Sequence, residues 1–263
     1  MRVLVAIPVY NEAKYVTSVL ERVRQHATNI LVIDDGSTDD TPTLVSKQPV
    51  EVIRHAVNRG YGRSLRDAFR WGSCYDFDWV LTMDCDEQHE PERIGDFLEA
   101  MHRDDTDIIS GSRYLAPEAE SIGAPPQDRK AINRTITHEI NERLGSRFGA
   151  HITDAFCGFK AHHVSAMKKL KLTETGYAFP MQFWVQAAAN NLRITEIPVT
   201  LIYNDPSRSF GGVLDDAQHR LAHYRSVLHD ELRICADKLP AEALVDIAEP
   251  VVTTSCTNGC CRR

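Results

Sequence analysis

Four short polar stretches in this chain follow apolar runs, and their residue types are those of phosphate and metal chemistry. They are Pro8-Val9-Tyr10-Asn11-Glu12, the Asp-Asp-Gly-Ser-Thr-Asp of 34–39, the Asp-Cys-Asp-Glu-Gln-His of 84–89, and Gly111-Ser112-Arg113-Tyr114. Asp84 and Asp86 close the run Trp-Val-Leu-Thr-Met, where strand alternation points both carboxylates the same way. Oxygen ligands at that spacing suit Mg2+ or Mn2+, which take carboxylates, water and the oxygens of a bound diphosphate, and Gln88 can add an amide oxygen. A metal there would neutralise charge on a departing diphosphate, and the fixed fork of the Arg113 guanidinium would clamp phosphate beside it. An isolated Asp-x-Asp is more often plain strand-end solvation, and an isolated Asp-Gly-Ser more often a turn with a helix cap. Four such stretches at strand ends outweigh that bland account.

The elements that must position these residues follow one repeated pattern. A short β-branched run, a polar turn and a stretch of apolar residues at helical spacing recur through the first half, which predicts a parallel sheet with crossover helices. The runs are Val3–Val9, Ile30–Ile33, Val50–Ile53, Trp79–Met83 and Asp107–Ile109. Val16, Val19, Leu20 and Val23 fall on one helical face, as do Leu65, Ala68 and Phe69. Ligands of open α/β sheets bind at the carboxyl ends of the strands, where the four polar stretches lie. Asn58-Arg59-Gly60-Tyr61-Gly62-Arg63 opens a helix and allows close backbone approach, but it lacks the residues of a P-loop or a dinucleotide fingerprint. Beyond Arg113, 115–128 reads as a long surface loop, 129–148 as helix, 153–160 as extended, 180–190 as helix, 193–203 as strand and 205–212 as a polar loop. Leu214, Ala217, Leu221, Tyr224, Val227, Leu228 and Leu232 trace a last helix over 214–235, whose stripe suits core packing more than docking on lipid. One domain over 1–240 and a disordered Cys-containing tail over 241–263 are expected.

The 263 residues suffice for one large α/β domain, and the net charge of −7 argues against a general nucleic-acid binder. Seven cysteines without regular spacing, and a strand that begins almost at once where a signal peptide would stand, point to a reducing cytoplasm. No apolar run approaches the roughly 20 residues that span a bilayer, so membrane contact would be peripheral, at the inner face. Cys85 and Cys157 read as small buried hydrophobes, and the tail cysteines Cys256, Cys260 and Cys261 lack a partner pair at zinc spacing.

Ile7–Glu12, Val32–Asp39, Asn58–Gly62, Met83–Pro91, Gly111–Tyr114 and Asp154–Lys160 together resemble, in order and interval, the family 2 glycosyltransferases of GT-A fold. Within that family the Gln88-His89 pair makes the chain most similar to the dolichyl- and polyprenyl-phosphate mannose synthases. The resemblance implies an α/β/α sandwich with a mostly parallel sheet, and a donor such as GDP-mannose or UDP-glucose whose nucleoside is cradled by Pro8, Tyr10, Glu12 and Asp35. It implies a metal on Asp84, Asp86 and Gln88 around the Asp84-Cys85-Asp86 element, with Arg113, Arg129 and Arg208 on phosphates. Asp154 matches the carboxylate that serves as general base toward a hydroxyl acceptor; toward an already ionised lipid phosphate it would instead orient sugar hydroxyls or arginines. The chain departs from the family at Asn133, where a Ser is common, and at Ser209-Phe210-Gly211-Gly212 in the late loop. Both departures lie on the acceptor side. A lipid phosphate leads as acceptor, with a soluble or protein-linked hydroxyl, or binding without catalysis, as the alternatives.

Overall fold

The computed structural model describes residues 1–103, 105–115, 121–204 and 210–247. Strands β1 (Val3–Val9), β2 (Ile30–Asp34) and β3 (Glu51–Arg54) alternate with helices α1 (Val16–Val23) and α2 (Thr41–Val45). Helix α3 (Tyr61–Cys74) leads into β4 (Trp79–Thr82), followed by α4 (Ile94–His102) and β5 (Ile108–Ser112). The second half holds β6 (Ser121–Ile122), α5 (Gln127–Phe148), β7 (Lys160–His163), α6 (Val164–Met167), α7 (Phe179–Ala189), β8 (Ile194–Pro198), β9 (Leu201–Ile202) and α8 (Ala217–Ile234).

Seven strands form one sheet in the order β3-β2-β1-β4-β7-β5-β8, while β6 and β9 pair separately. Central strands such as β2 are buried on both faces, which explains their unbroken Ile-Leu-Val character. Val5 pairs with Ile30 on one side of β1 and with Leu81 on the other, all parallel. The chain runs outward from β1 to β3 and then crosses back to β4, so the crevice at the carboxyl ends of β1 and β4 is a topological switch point. The expected apolar faces are buried: Val16, Val19, Leu20 and Val23 of α1, and Leu65, Ala68 and Phe69 of α3. One core cluster holds α1 and α4 side chains and the other those of α3, α5, α7 and α8, giving helices on both faces of the sheet.

The second half departs from the sequence-based expectations in four places. Residues 153–159 form turns and irregular chain, and only Lys160–His163 is strand, antiparallel to both β4 and β5. Within the expected loop 115–128, Ser121–Ile122 pairs with Leu201–Ile202. The last helix starts at Ala217, after a 3-10 turn over Gly212–Asp215, and buries Tyr224, Leu228 and Leu232, so its stripe packs in the core. Residues 241–247 are not a loose tail: Ala243 is fully buried, and Arg143 donates to the carbonyls of Ala243 and Val245. Cys256, Cys260 and Cys261 lie outside the described residues.

Candidate functional site

A cavity of about 460 Å³ opens at the carboxyl ends of β1 and β4 and collects most of the singled-out residues. Pro8, Tyr10, Glu12 and Asp35 line one end, Asp84, Cys85, Asp86 and Gln88 the middle, and Arg113 and Arg129 lie farther along. Arg208 falls outside the described residues.

The first end is built from turns fastened to one another. Asn11 has φ of 55°, a left-handed conformation that Asn tolerates, and its side-chain oxygen accepts from the Thr38 amide at 2.8 Å. The Glu12 amide donates to Thr41 Oγ1 at 2.8 Å and the Asn11 amide to Ser37 Oγ at 2.9 Å, so the end of β1 is stapled to the turn after β2. Gly36 permits this packing: its φ is 76°, and a Cβ there would meet the Val57 backbone at 2.5 Å. Asp35 accepts from the amides of Arg59 at 2.8 Å and Gly60 at 2.7 Å, which anchors the Asn-Arg-Gly turn over the cavity.

In the middle, Asp84 and Asp86 are half-buried and face the cavity with Gln88. The Gln88 amide donates to Asp86 Oδ1 at 3.1 Å, closing the turn. Tyr61 hydrogen bonds to Asp84, and burial together with that carboxylate pushes its hydroxyl well above the usual range. Gly158 is what leaves room: a Cβ there would lie 2.6 Å from Asp84 Oδ2 and 2.9 Å from the Tyr61 hydroxyl. His89 is buried, its Nδ1 accepts the Asp84 amide at 2.9 Å, and burial lowers its pKa to about 4, so it is a neutral prop beneath the acid pair. Cys85 and Cys157 are buried thiols, as expected, and burial raises Cys157 to about 11.

Behind the arginine end, Asp154 is wholly buried and binds Arg113 in a fork, Nε to Oδ2 at 2.7 Å and Nη2 to Oδ1 at 2.9 Å. Asn133 Nδ2 adds a bond to Oδ1 at 2.8 Å. Burial alone would raise Asp154, but the charge and hydrogen bonds of Arg113, with Asn133, hold it well below the usual carboxylate range. Burial would likewise lower Arg113, yet the facing carboxylate keeps it higher still. Glu196 of β8 accepts from Thr153 Oγ1 at 2.7 Å and from the amides of Thr153 and Asp154, fixing the backbone under the clamp. Lys160, buried, donates to the Cys157 carbonyl and lies over the Trp184 ring.

Beyond Arg113 the walls turn aromatic and basic. Phe210 is held between Arg129 and Arg220, each guanidinium 4.7 Å from its ring centre, and meets Tyr177 edge-on at 5.4 Å. Arg220, 2% exposed, pairs with Asp128 and donates to the Leu214 carbonyl at 2.6 Å. Sequence inspection passed over Arg220, although a charged residue four before Tyr224, on the buried face of the last helix, was a signal. Tyr61, Glu196 and Lys160 were also passed over, since their roles depend on neighbours distant in sequence.

This sheet, with an acid-lined cavity at its switch point, has the GT-A architecture. The chain belongs to glycosyl transferase family 2, whose family pattern matches residues 4–171. It is 30% identical over 229 residues to an undecaprenyl-phosphate mannosyltransferase of Micrococcus luteus, covering 82% of this chain and 91% of the relative. It is 28% identical over 239 residues to the polyprenol monophosphomannose synthase of Mycolicibacterium smegmatis, covering 85% and 86%. Among solved structures it shares its fold with glucosyl-3-phosphoglycerate synthase from Mycobacterium tuberculosis in complex with Mn2+, UDP and glucosyl-3-phosphoglycerate, at TM-score 0.66 and 16% identity, covering 91% of this chain and 81% of that one.

Proposed function

We propose that this glycosyltransferase moves a hexose, mannose or glucose, from GDP-mannose or UDP-glucose to a polyprenyl or dolichyl phosphate with inversion at the anomeric carbon. The observation that carries this is one continuous cavity running from the Asp84/Asp86 pair to a basic and aromatic end, with both Asp154 oxygens engaged by Arg113. A carboxylate so engaged is poorly placed to take a proton from a hydroxyl, whereas a phosphate acceptor is already ionised and needs no base. The names of the two mannosyl-transferring relatives support the same acceptor class.

In this account the nucleoside lies against Pro8, Tyr10, Glu12 and Asp35. The donor set in the middle is all oxygen, from Asp84, Asp86 and Gln88, and Gly158 keeps space around the Asp84 carboxylate, which suits Mn2+ or Mg2+ with substrate oxygens completing the shell. A bound ion would supply charge neutralisation to the leaving diphosphate. Tyr61 orients Asp84, and Asp154 holds Arg113 at the cavity wall, where it and Arg129 would bind phosphate. Arg208 would add a third guanidinium from the late loop. The aromatic walls would exclude water and accept the first part of the lipid chain. No helix among the described residues is long and apolar enough to cross a membrane. The location that goes with this reading is the cytoplasm, with the acceptor met peripherally at the membrane surface.

The test is transfer of label from GDP-mannose and UDP-glucose, with Mn2+, to polyprenyl phosphate. Label in an organic-extractable product that disappears in Asp86→Ala supports the proposal; Mn2+-dependent transfer only to water-soluble hydroxyls would move Asp154 back to the role of base.

A further inference from the structure

The nucleoside end of the cavity rests on a run of charged groups that the transfer itself does not use. Asp35, 4% exposed, takes His55 Nδ1 on Oδ1 at 2.6 Å in addition to the two amides of Arg59 and Gly60. The other ring nitrogen of His55, Nε2, lies 3.0 Å from Asp67 Oδ2, which also accepts from Arg63 Nε at 2.7 Å. One buried imidazole thus faces carboxylate oxygens on both sides. His55 and Arg63 thus alternate with two carboxylates, Asp35 and Asp67, from the cavity wall back into α3.

The two oxygens of a carboxylate offer about four acceptor sites, and the protein occupies three of those on Asp35. Asp35, which lines the cavity, can therefore receive one more N–H there and give none. We infer that His55 and Asp67 are specificity-determining positioning residues, which hold Asp35 as a fixed acceptor so that the site selects a base with a ring N–H over one with a ring-nitrogen lone pair. Uracil and guanine carry that N–H; cytosine and adenine would set a lone pair against the carboxylate, even if their amino groups reached it. The inference rests on the donor site proposed above and adds to it the residues behind the wall. His55 is set there by β3, the partner of β2, and Asp67 by α3, one turn after Arg63, so two elements converge on one carboxylate.

Binding of UDP, GDP, CDP and ADP with Mn2+ by calorimetry tests this, in wild type, Asp67→Asn and His55→Gln, with melting temperature and circular dichroism reporting the fold. Wild type should prefer UDP or GDP by at least about tenfold, as expected when an analogue leaves a buried charged acceptor unmatched. In the folded variants that preference should shrink about three- to tenfold while CDP and ADP are little changed. In turnover the donor KM should rise with kcat within about twofold, a split that general loosening of the structure would not produce. Failure of wild type to bind any nucleoside diphosphate would remove the donor site and this inference with it. Binding without base preference, or a preference unmoved in both folded variants, would overturn the inference alone.

Discussion

Gly158→Ala tests the acid pair by steric means alone. Gly158 does not have positive φ, so alanine adopts its backbone conformation and the perturbation falls on what surrounds the new methyl. That methyl would stand 2.6 Å from Asp84 Oδ2, 2.9 Å from Oδ1 and 2.9 Å from the Tyr61 hydroxyl. Restoring van der Waals separation requires the carboxylate to retreat by roughly 0.5–1 Å. Displacements of that size cost on the order of 100-fold in rate when the displaced group positions the reacting centre. The assay is Mn2+-dependent turnover of labelled donor with melting temperature alongside, and Gly145→Ala in α5 as control, since a Cβ at Gly145 has nothing within 4 Å. The control should keep full activity and gain about 0.5–1 kcal/mol from helix propensity. A folded Gly158→Ala enzyme with wild-type turnover and unchanged Mn2+ dependence would refute the assignment of Asp84 to the reacting centre.

Three further outcomes follow from the same structure. Asp154→Asn should abolish measurable transfer and lower stability by about 3–5 kcal/mol in urea unfolding, because it leaves the Arg113 charge without its buried partner. His162 lies edge-on to Phe69 and Phe183, and burial, with Lys160, lowers it to about 3, so its contribution to stability is complete above its ordinary pKa near 6.5 and is lost as pH falls from there toward 3. Stability should decline below pH 6.5 by up to about 1.4 kcal/mol per pH unit for this group, read as a falling melting temperature, and His162→Phe should flatten the decline. Arg220→Met removes the partner of Asp128 and one side of the Phe210 sandwich, and should raise the acceptor KM about tenfold with the donor KM unchanged, as read from initial rates at varied polyprenyl phosphate.

The strands and helices that feed the cavity were legible because each carries its own period. Val16 to Val23 repeats at helical spacing, and Ile30 to Ile33 is apolar on both faces because the strand is buried on both. The convergence of Pro8, Asp35, Asp84 and Arg113 was legible as well, since parallel strands place their carboxyl-end residues on one edge. Strand β7 was not: Lys-Ala-His-His shows no apolar run, and its Lys160 and His162 are buried only because β4 and β5 close on either side. Packing also explains residues 241–247, whose polar, aperiodic sequence is held by Arg143 of α5. The tight engagement of Asp154 escaped sequence inspection because its partners, Arg113 and Asn133, lie 41 and 21 residues away.

The proposed reaction needs one cavity that joins a metal-assisted nucleotide-sugar site to a lipid-phosphate site. The most direct measurement is the partition of label between organic and aqueous phases after incubation with GDP-mannose or UDP-glucose and polyprenyl phosphate, with Mn2+ and with chelator. Organic-phase label is expected with Mn2+ for at least one donor, lost on chelation and in Asp86→Ala. Organic-phase label that persists undiminished under chelation, or label that stays entirely in the aqueous phase with both donors, would contradict it.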